Sequence, residues 1–260
     1  MRLSIVDEVE RRDVQLSALR HVSYGGGRMP RAVIERAMGM MPGVRWVNAY
    51  GLTETSSTIA VLGPEDHDEA FASDDPAARA RLGSVGRPLP SVELEIRDAD
   101  GAVCPPGEKG EIYVRGEQIA GEYLGRSVLT EDGWFPTNDA GFLDAEGYLF
   151  LDGRLDDVII RGAENLSPGE IEDRLVAHPG VAEAAVVGVP DDEWGEKVVA
   201  AVVLQPGAEV TEPELQAWVR GELRSTKTPE RIQFRTELPH NETGKLLRRV
   251  LKTELGDPPS

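Results

Sequence analysis

The stretch Leu19-Arg20-His21-Val22-Ser23-Tyr24-Gly25-Gly26-Gly27-Arg28-Met29-Pro30, continuing to Arg45-Trp46-Val47-Asn48-Ala49-Tyr50, decides the fold class. Apolar and polar residues alternate from Leu19 to Tyr24, which reads as a strand, and three glycines end it. Pro30 opens a helix in which Ala32, Val33, Ala37 and Met41 recur at helical spacing, until Pro42-Gly43 stops it. Arg45 to Tyr50 reads as the next strand. Strand, helix, strand is a βαβ unit, and alone it is only part of a parallel sheet, because such sheets are covered on both faces and have several strands.

Outward from this unit the pattern changes twice. From Gly83 to Gly153 short strands alternate with turn residues: Val92 to Arg97, the turn Asp98 to Gly101, then Gly110 to Arg115. Phe142 to Asp144, turning at Ala145-Glu146-Gly147 into Tyr148 to Leu151, is a further hairpin of this antiparallel region. Beyond Gly153 strands alternate with capped helices. Ser167-Pro168-Gly169-Glu170 and Thr211-Glu212-Pro213-Glu214 each have the form of a capping box with proline near the helix start, predicting helices over 168–177 and from 212 to about 224. The expected class is therefore mixed α/β and α+β: a partial α/β sheet subdomain over 1–82, an antiparallel β subdomain over 83–153, and an α+β C-terminal domain over 154–260.

Composition removes several function classes. The longest apolar runs, Ala184 to Val189 and Val198 to Leu204, fall far short of the roughly 20 residues that cross a bilayer, and the N-terminal residues have no signal-peptide pattern, so a cytoplasmic chain without a membrane span is expected. With 28 Lys and Arg against 46 Asp and Glu, the net charge of -18 repels phosphate backbones, and nucleic acid is not an expected partner. A local basic cluster at Arg248, Arg249 and Lys252 is the exception, with the charge to hold a phosphorylated small molecule. One cysteine, Cys104, excludes an internal disulfide, and four scattered histidines argue against zinc.

Chemistry concentrates in Asn48-Ala49-Tyr50-Gly51-Leu52-Thr53-Glu54-Thr55, placed where ligand-bearing loops follow strands of a parallel sheet. Glycine admits a close backbone approach, Thr53 can hydrogen-bond a phosphate oxygen, and Glu54 offers a hard oxygen ligand to a cation. Read by itself, the segment is better taken as a polar loop with a helix-capping threonine.

Six segments in order change that reading. They are Tyr24-Gly25-Gly26-Gly27-Arg28-Met29-Pro30; Tyr50-Gly51-Leu52-Thr53-Glu54; Gly110-Glu111-Ile112-Tyr113-Val114-Arg115-Gly116; Trp134-Phe135-Pro136-Thr137-Asn138-Asp139; Gly153-Arg154-Leu155-Asp156-Asp157 through to Pro168-Gly169-Glu170-Ile171-Glu172; and Leu238-Pro239-His240-Asn241-Glu242-Thr243-Gly244-Lys245. Together they resemble the adenylate-forming superfamily of acyl-CoA ligases, luciferases and peptide-synthetase adenylation domains. The resemblance implies two half-reactions: a carboxylic acid attacks the α-phosphate of ATP to give an acyl-adenylate and pyrophosphate, and a thiol, that of coenzyme A, then takes the acyl group.

What the resemblance implies for residues is specific. Gly25, Gly26 and Gly27 match the loop against adenine, and Tyr50 and Gly51 belong to the same nucleotide site. Asp139 matches the carboxylate that accepts the ribose hydroxyls, with Arg154 on the same nucleotide. Thr53 and Glu54 face the phosphates, Glu54 as the Mg2+ ligand. Lys245 matches the lysine that bridges the reacting carboxylate and the α-phosphate, where a positioned ammonium neutralises charge developing in the transition state. Asp156 matches the hinge about which a mobile last domain swings between half-reactions. Gly162 and Ala163 lie where the pantetheine thiol arrives.

Departures from the pattern matter as well. Nothing before Tyr24 resembles the Ser/Thr/Gly-rich phosphate loop ending in lysine, so the chain reads as the second half of such an enzyme, with a separately encoded N-terminal half as a candidate partner. Asn138 stands where glycine is usual, Arg28 lies in the adenine loop, and Ala163 replaces a second glycine. Three functions compete: an acid–CoA ligase, to which Asn165-Leu166-Ser167-Pro168 inclines; an adenylating enzyme that loads a carrier-protein pantetheine; and a non-catalytic nucleotide-binding or assembly module.

Overall fold

A computed structural model describes residues 6, 9, 12, 16–27, 29–119, 122–123, 126–127, 129–241 and 244–256. Arg28, Glu242 and Thr243, quoted above, lie outside the described residues. The chain divides into two compact units, Met1–Leu155 and Asp156–Ser260.

In the first unit β1 (His21–Gly25) and β2 (Arg45–Leu52) pair in parallel, Gly25 opposite Ala49, and α1 (Arg31–Met40) connects them. The apolar stripe of α1 (Val33, Ile34, Ala37, Met38) is buried, and its cluster includes Trp46 of β2. Thereafter the sheet turns antiparallel: β3 (Ser57–Leu62) pairs with β2, and β4 (Arg87–Pro88) pairs with β3. Between β3 and β4 lie α2 (Pro64–Ala72) and α3 (Pro76–Ala80), each with proline in its first turn, where the missing N–H has no intrahelical partner to lose.

The second sheet, β5 (Glu93–Arg97), β6 (Gly110–Arg115), β9 (Phe135–Leu143) and β10 (Leu149–Arg154), is antiparallel in the order β10-β9-β6-β5. A short ribbon of β7 (Glu122–Tyr123) and β8 (Arg126–Ser127) stands apart. The expected hairpin closes at Asp144–Tyr148, where Gly147 takes φ +82° and the Asp144 carboxylate accepts from the N–H groups of Glu146 and Tyr148. Tyr50, Ile59 and Ala60 of the first sheet share one core with Ile112, Val114, Phe135 and Leu149 of the second.

The second unit is built on the long hairpin of β13 (Val181–Asp191) and β14 (Gly195–Leu204), preceded by β11 (Ile159–Arg161) and β12 (Glu164–Leu166) and joined in parallel by β15 (Arg231–Arg235). The continuous apolar runs of this hairpin have a simple cause: both faces are covered. Val186, Val198, Ala200 and Val202 share a cluster with residues of α4 (Pro168–Val176) and α5 (Glu212–Arg220). Ala185, Val187, Val189, Val199 and Ala201 pack with Leu251 and Leu255 of α6 (Arg248–Gly256).

Two capping expectations resolve differently. At Thr211 the Glu214 carboxylate returns to accept from the Thr211 backbone N–H at 2.8 Å. At Ser167 no side-chain cap is made, and Glu170 pairs with Lys227 instead. The helix from Glu212 ends at Arg220, and a short 3-10 turn at Ser225–Lys227 follows. No helix among the described residues is long and apolar enough to cross a membrane.

Candidate active site

Within the first unit two of the residues expected at the site, Tyr50 and Arg154, meet at Asp139. β2 carries Tyr50, which is 9% exposed, and its hydroxyl donates to Asp139 Oδ2 at 2.6 Å. On the other oxygen, Arg154 Nε stands 3.2 Å from Asp139 Oδ1, as an ion pair. Arg154 also donates to the Thr137 carbonyl, and the Thr137 hydroxyl accepts from the Asp139 N–H while donating to Ile112 O. The antiparallel register explains the meeting: Arg154 of β10 lies directly opposite Asp139 of β9. Burial and the facing carboxylate push the Tyr50 phenol far above its ordinary range, so it remains a donor.

Asn138, the departure from glycine, has φ +60°. Asparagine tolerates that left-handed region better than most residues, so the substitution preserves the backbone conformation. Its N–H donates to Glu111 Oε1 at 3.0 Å.

The glycine loop follows β1 directly, and its three members differ. A Cβ on Gly25 would stand 2.5 Å from Ala49 O, so close strand pairing requires that glycine. Gly26 has φ +74°, which requires the second. Gly27 meets nothing within 4 Å and has no such φ, so the fold does not require the third. Tyr24, one residue upstream, is anchored by its hydroxyl 2.9 Å from His67 Nε2, and His67 Nδ1 lies 2.8 Å from Gly63 O.

The segment expected as a simple loop is more constrained. Tyr50, Gly51 and Leu52 still belong to β2, with a bulge between Tyr50 and Gly51, and Thr53–Thr55 is a 3-10 turn. A Cβ on Gly51 would fall 1.5 Å from Ser57 O. Ser56 and Ser57 take φ 52° and 89°, left-handed backbone that costs on the order of 1–3 kcal/mol per residue without glycine. Thr55 is fully buried; its hydroxyl accepts from Leu52 N–H and lies 3.0 Å from Leu52 O and 2.9 Å from Ser57 O. At the tip, Thr53 is exposed and Glu54 half-buried, and Glu54 forms no ion pair among the described residues.

The second unit holds the remaining residues. Lys245 is exposed on a tight turn: its N–H donates to Asn241 Oδ1 at 2.8 Å, its carbonyl accepts from Asn241 N–H at 2.9 Å, and Gly244 has φ +84°. His240 anchors the turn to β13, its Nε2 2.9 Å from Glu183 Oε1. Asp156 is exposed in the 3-10 turn Leu155–Asp157, at the first residue of this unit. Gly162 and Ala163 form the two-residue turn between β11 and β12; Gly162 has φ +60°, and a Cβ on it would stand 3.4 Å from the Trp194 ring.

Two features escaped the sequence. Arg248 and Lys252 are not a basic patch: Arg248 forks onto Glu172 at 2.6 and 2.8 Å and lies 3.3 Å from Asp157, and Lys252 pairs with Glu196 at 2.6 Å. Gln118 belongs to none of the six motifs, yet it contacts the strained loop, 60 and 63 positions away. Its place two residues beyond the Gly110–Gly116 motif is the one local signal.

A family model described as AMP-binding enzyme matches residues 3–124, and one described as AMP-binding enzyme C-terminal domain matches residues 170–245. A 2-succinylbenzoate–CoA ligase of Bacillus thuringiensis subsp. konkukian is 40% identical over 240 residues, covering 91% of this chain and 46% of the relative. A fatty acid–[acyl-carrier-protein] ligase, ScoC, of Streptomyces coeruleorubidus is 37% identical over 91% of this chain and 44% of its own length. Among solved structures, the o-succinylbenzoate CoA synthetase of Bacillus subtilis, in complex with an acyl-adenylate intermediate, aligns with TM-score 0.80 at 33% identity, covering all of this chain and 51% of that one. The chain thus spans about half the length of the relatives it matches.

Proposed function

Because the chain belongs to the AMP-binding enzyme family, we propose that it supplies the nucleotide-holding and charge-neutralising part of an ATP-dependent acid–CoA ligase. The observation that carries this reading is the Asp139 carboxylate, held by the Tyr50 hydroxyl on one oxygen and by Arg154 on the other. An ionised carboxylate is acceptor-only with about four acceptor positions, which suits a vicinal pair of ribose hydroxyls. Gly25 to Gly27 take the adenine, where missing side chains let backbone meet a flat base.

In the first half-reaction an acid oxygen attacks the α-phosphate and pyrophosphate leaves. Both partners are anionic, and their approach is the electrostatic problem. Lys245 answers it: an ammonium on a turn fixed by Asn241 and Gly244 neutralises charge that grows in the transition state, a contribution of a few kcal/mol in a water-excluded site. Asp156 is the hinge about which the second unit presents different residues to the two half-reactions. In the second half-reaction the pantetheine thiol arrives past Gly162 and Ala163.

The residues present fit Mg2+. Glu54 gives a carboxylate with no competing ion pair among the described residues, and Thr53 an exposed hydroxyl beside it. Bound there, Mg2+ would supply charge neutralisation for the phosphates.

The test is ATP–pyrophosphate exchange by the native polypeptide carrying this sequence, offered a panel of aryl and fatty acids with 2-succinylbenzoate first. Exchange in the unaltered protein and its loss in Lys245→Ala are expected; retained exchange in that variant rejects the role. The relative that acts on an acyl-carrier protein supports a second reading, in which a carrier pantetheine replaces coenzyme A. Offering both thiols in one acyl-transfer assay separates the two.

A further inference from the structure

We propose that Gln118 is a positioning residue which locks the loop bearing Thr53 and Glu54 in a left-handed conformation that the loop's own sequence does not favour. Thr53 and Glu54 take their roles from the function proposed above, and the clamp itself rests on geometry alone.

The Gln118 amide nitrogen donates to Thr58 O at 2.7 Å and to Thr55 O at 3.1 Å, using both of its hydrogens. Its carbonyl oxygen accepts from the Ser91 hydroxyl at 3.0 Å. Two carbonyl partners fix which end of the amide is nitrogen, since an amide oxygen there would repel both. The side chain therefore bridges the two ends of a four-residue segment, Thr55 to Thr58, whose middle residues are the left-handed Ser56 and Ser57.

Serine has no intrinsic preference for φ of 52° or 89°, so the surroundings must impose it. Three groups do so. Gly51 leaves room for Ser57 O, the buried Thr55 hydroxyl lies within 3.0 Å of both Leu52 O and Ser57 O, and Gln118 holds the carbonyls on either side. Of the three, only Gln118 reaches the loop from outside its own strand and turn. Thr53 and Glu54 begin the same 3-10 turn that ends at Thr55, and Ser56 N–H donates to Thr53 O at 3.2 Å. A change in the backbone at Ser56 and Ser57 therefore moves the tip that carries the phosphate-side groups.

The variant is Gln118→Met, similar in length and without amide hydrogens. Hydrogen exchange on the 260-residue chain is expected to show at least tenfold faster exchange at the Ser56 N–H, with the Ala60 and Val61 ladder amides unchanged. Exchange at Ser56 equal to that of the unaltered chain overturns the clamp, as does a rise spread over the whole β2–β3 ladder, which would mark a general structural role. In the native polypeptide, kcat for ATP–pyrophosphate exchange is expected to fall tenfold or more while AMP affinity, which depends on Asp139, stays within twofold. AMP affinity falling in parallel with kcat overturns the positioning role. Absence of pyrophosphate exchange in the unaltered protein would instead reject the adenylation reading, and the hydrogen-exchange result then decides the clamp by itself.

Discussion

The Tyr50 hydroxyl and the Asp139 carboxylate, 89 positions apart in sequence, meet at 2.6 Å. This bond joins the first sheet to the second at the carboxylate proposed to take the nucleotide ribose. A hydrogen bond to a charged acceptor contributes about 1.5–3 kcal/mol, more than a neutral one. Tyr50→Phe keeps the ring and removes only the donor. AMP is expected to bind three- to tenfold more weakly, measured by calorimetric titration, with thermal unfolding shifted down by a few degrees. Unchanged AMP affinity would show that Asp139 is oriented by Arg154 without the tyrosine.

Stability should fall with mild acid because of His67. It is fully buried, with Nδ1 facing Gly63 O and Nε2 facing the Tyr24 hydroxyl. The natural arrangement is a neutral ring, donating from Nδ1 and accepting at Nε2. Burial is the leading cause that holds its pKa below the ordinary 6.5, against opposing contributions from Gly63 and the nearby Asp66 and Asp68. A depressed folded-state value means the unfolded chain binds the proton more readily. The stabilisation is therefore present above about pH 6.5 and is lost as pH falls through the folded-state value. The carboxylates Asp144 and Glu214, held below their usual values, lose their contributions only at lower pH. Urea midpoints between pH 7.5 and 5 should drop in the unaltered chain and change less in His67→Gln. Equal slopes would remove His67 as the source.

What could be read from the sequence follows the range of the interactions. The parallel β1–β2 pair, α1 and the Asp144 hairpin were legible, since alternation, proline starts and glycine turns are local signals, whereas the β13–β14 hairpin showed in the sequence only as two unpaired apolar runs. The paired Glu172 and Arg248 were not: 76 positions separate them, and a count of basic residues around Arg248 mistook a neutralised fork for a phosphate patch. Ser56 and Ser57 gave no warning either, because their left-handed backbone is imposed by Gly51, Thr55 and Gln118 and by nothing in serine itself. Candidate site residues were legible through motif order. Their partners Gln118, Thr137 and His67 required coordinates.

The Arg248–Glu172 pair gives a stability prediction with a built-in control. Its fork also closes the outer edge of β13: Glu172 Oε1 accepts from Val186 N–H at 2.8 Å, and Arg248 donates to Val186 O at 2.8 Å. Arg248→Ala leaves a largely buried carboxylate and a strand-edge carbonyl without that guanidinium. Breaking such a pair by removing one partner costs about 3–5 kcal/mol. The exposed neighbour Arg249→Ala should change stability by no more than about 0.5 kcal/mol. Urea unfolding followed by tryptophan fluorescence, with Trp46 and Trp134 of the first unit replaced by Phe so that Trp194 and Trp218 of the second unit report, distinguishes the two. Similar small losses in both variants would mean that solvent replaces the fork.

The turn Gly162-Ala163 separates what the backbone compels from what the reaction selects. Gly162 has φ +60° and a Cβ site 3.4 Å from Trp194, so Gly162→Ala is expected to cost about 1 kcal/mol through the left-handed backbone alone. Ala163 is exposed, without positive φ, so nothing in the fold requires or forbids a side chain there. Its methyl group, if it narrows the route of the pantetheine thiol, acts on the second half-reaction only. Ala163→Gly should accordingly leave pyrophosphate exchange within twofold and raise single-turnover thioester formation by a larger factor. Stability should change by under about 1 kcal/mol, the ordinary entropic effect of an added glycine. If both half-reactions change by the same factor, the methyl group does not gate the thiol, and the alanine reflects no more than an exposed turn position.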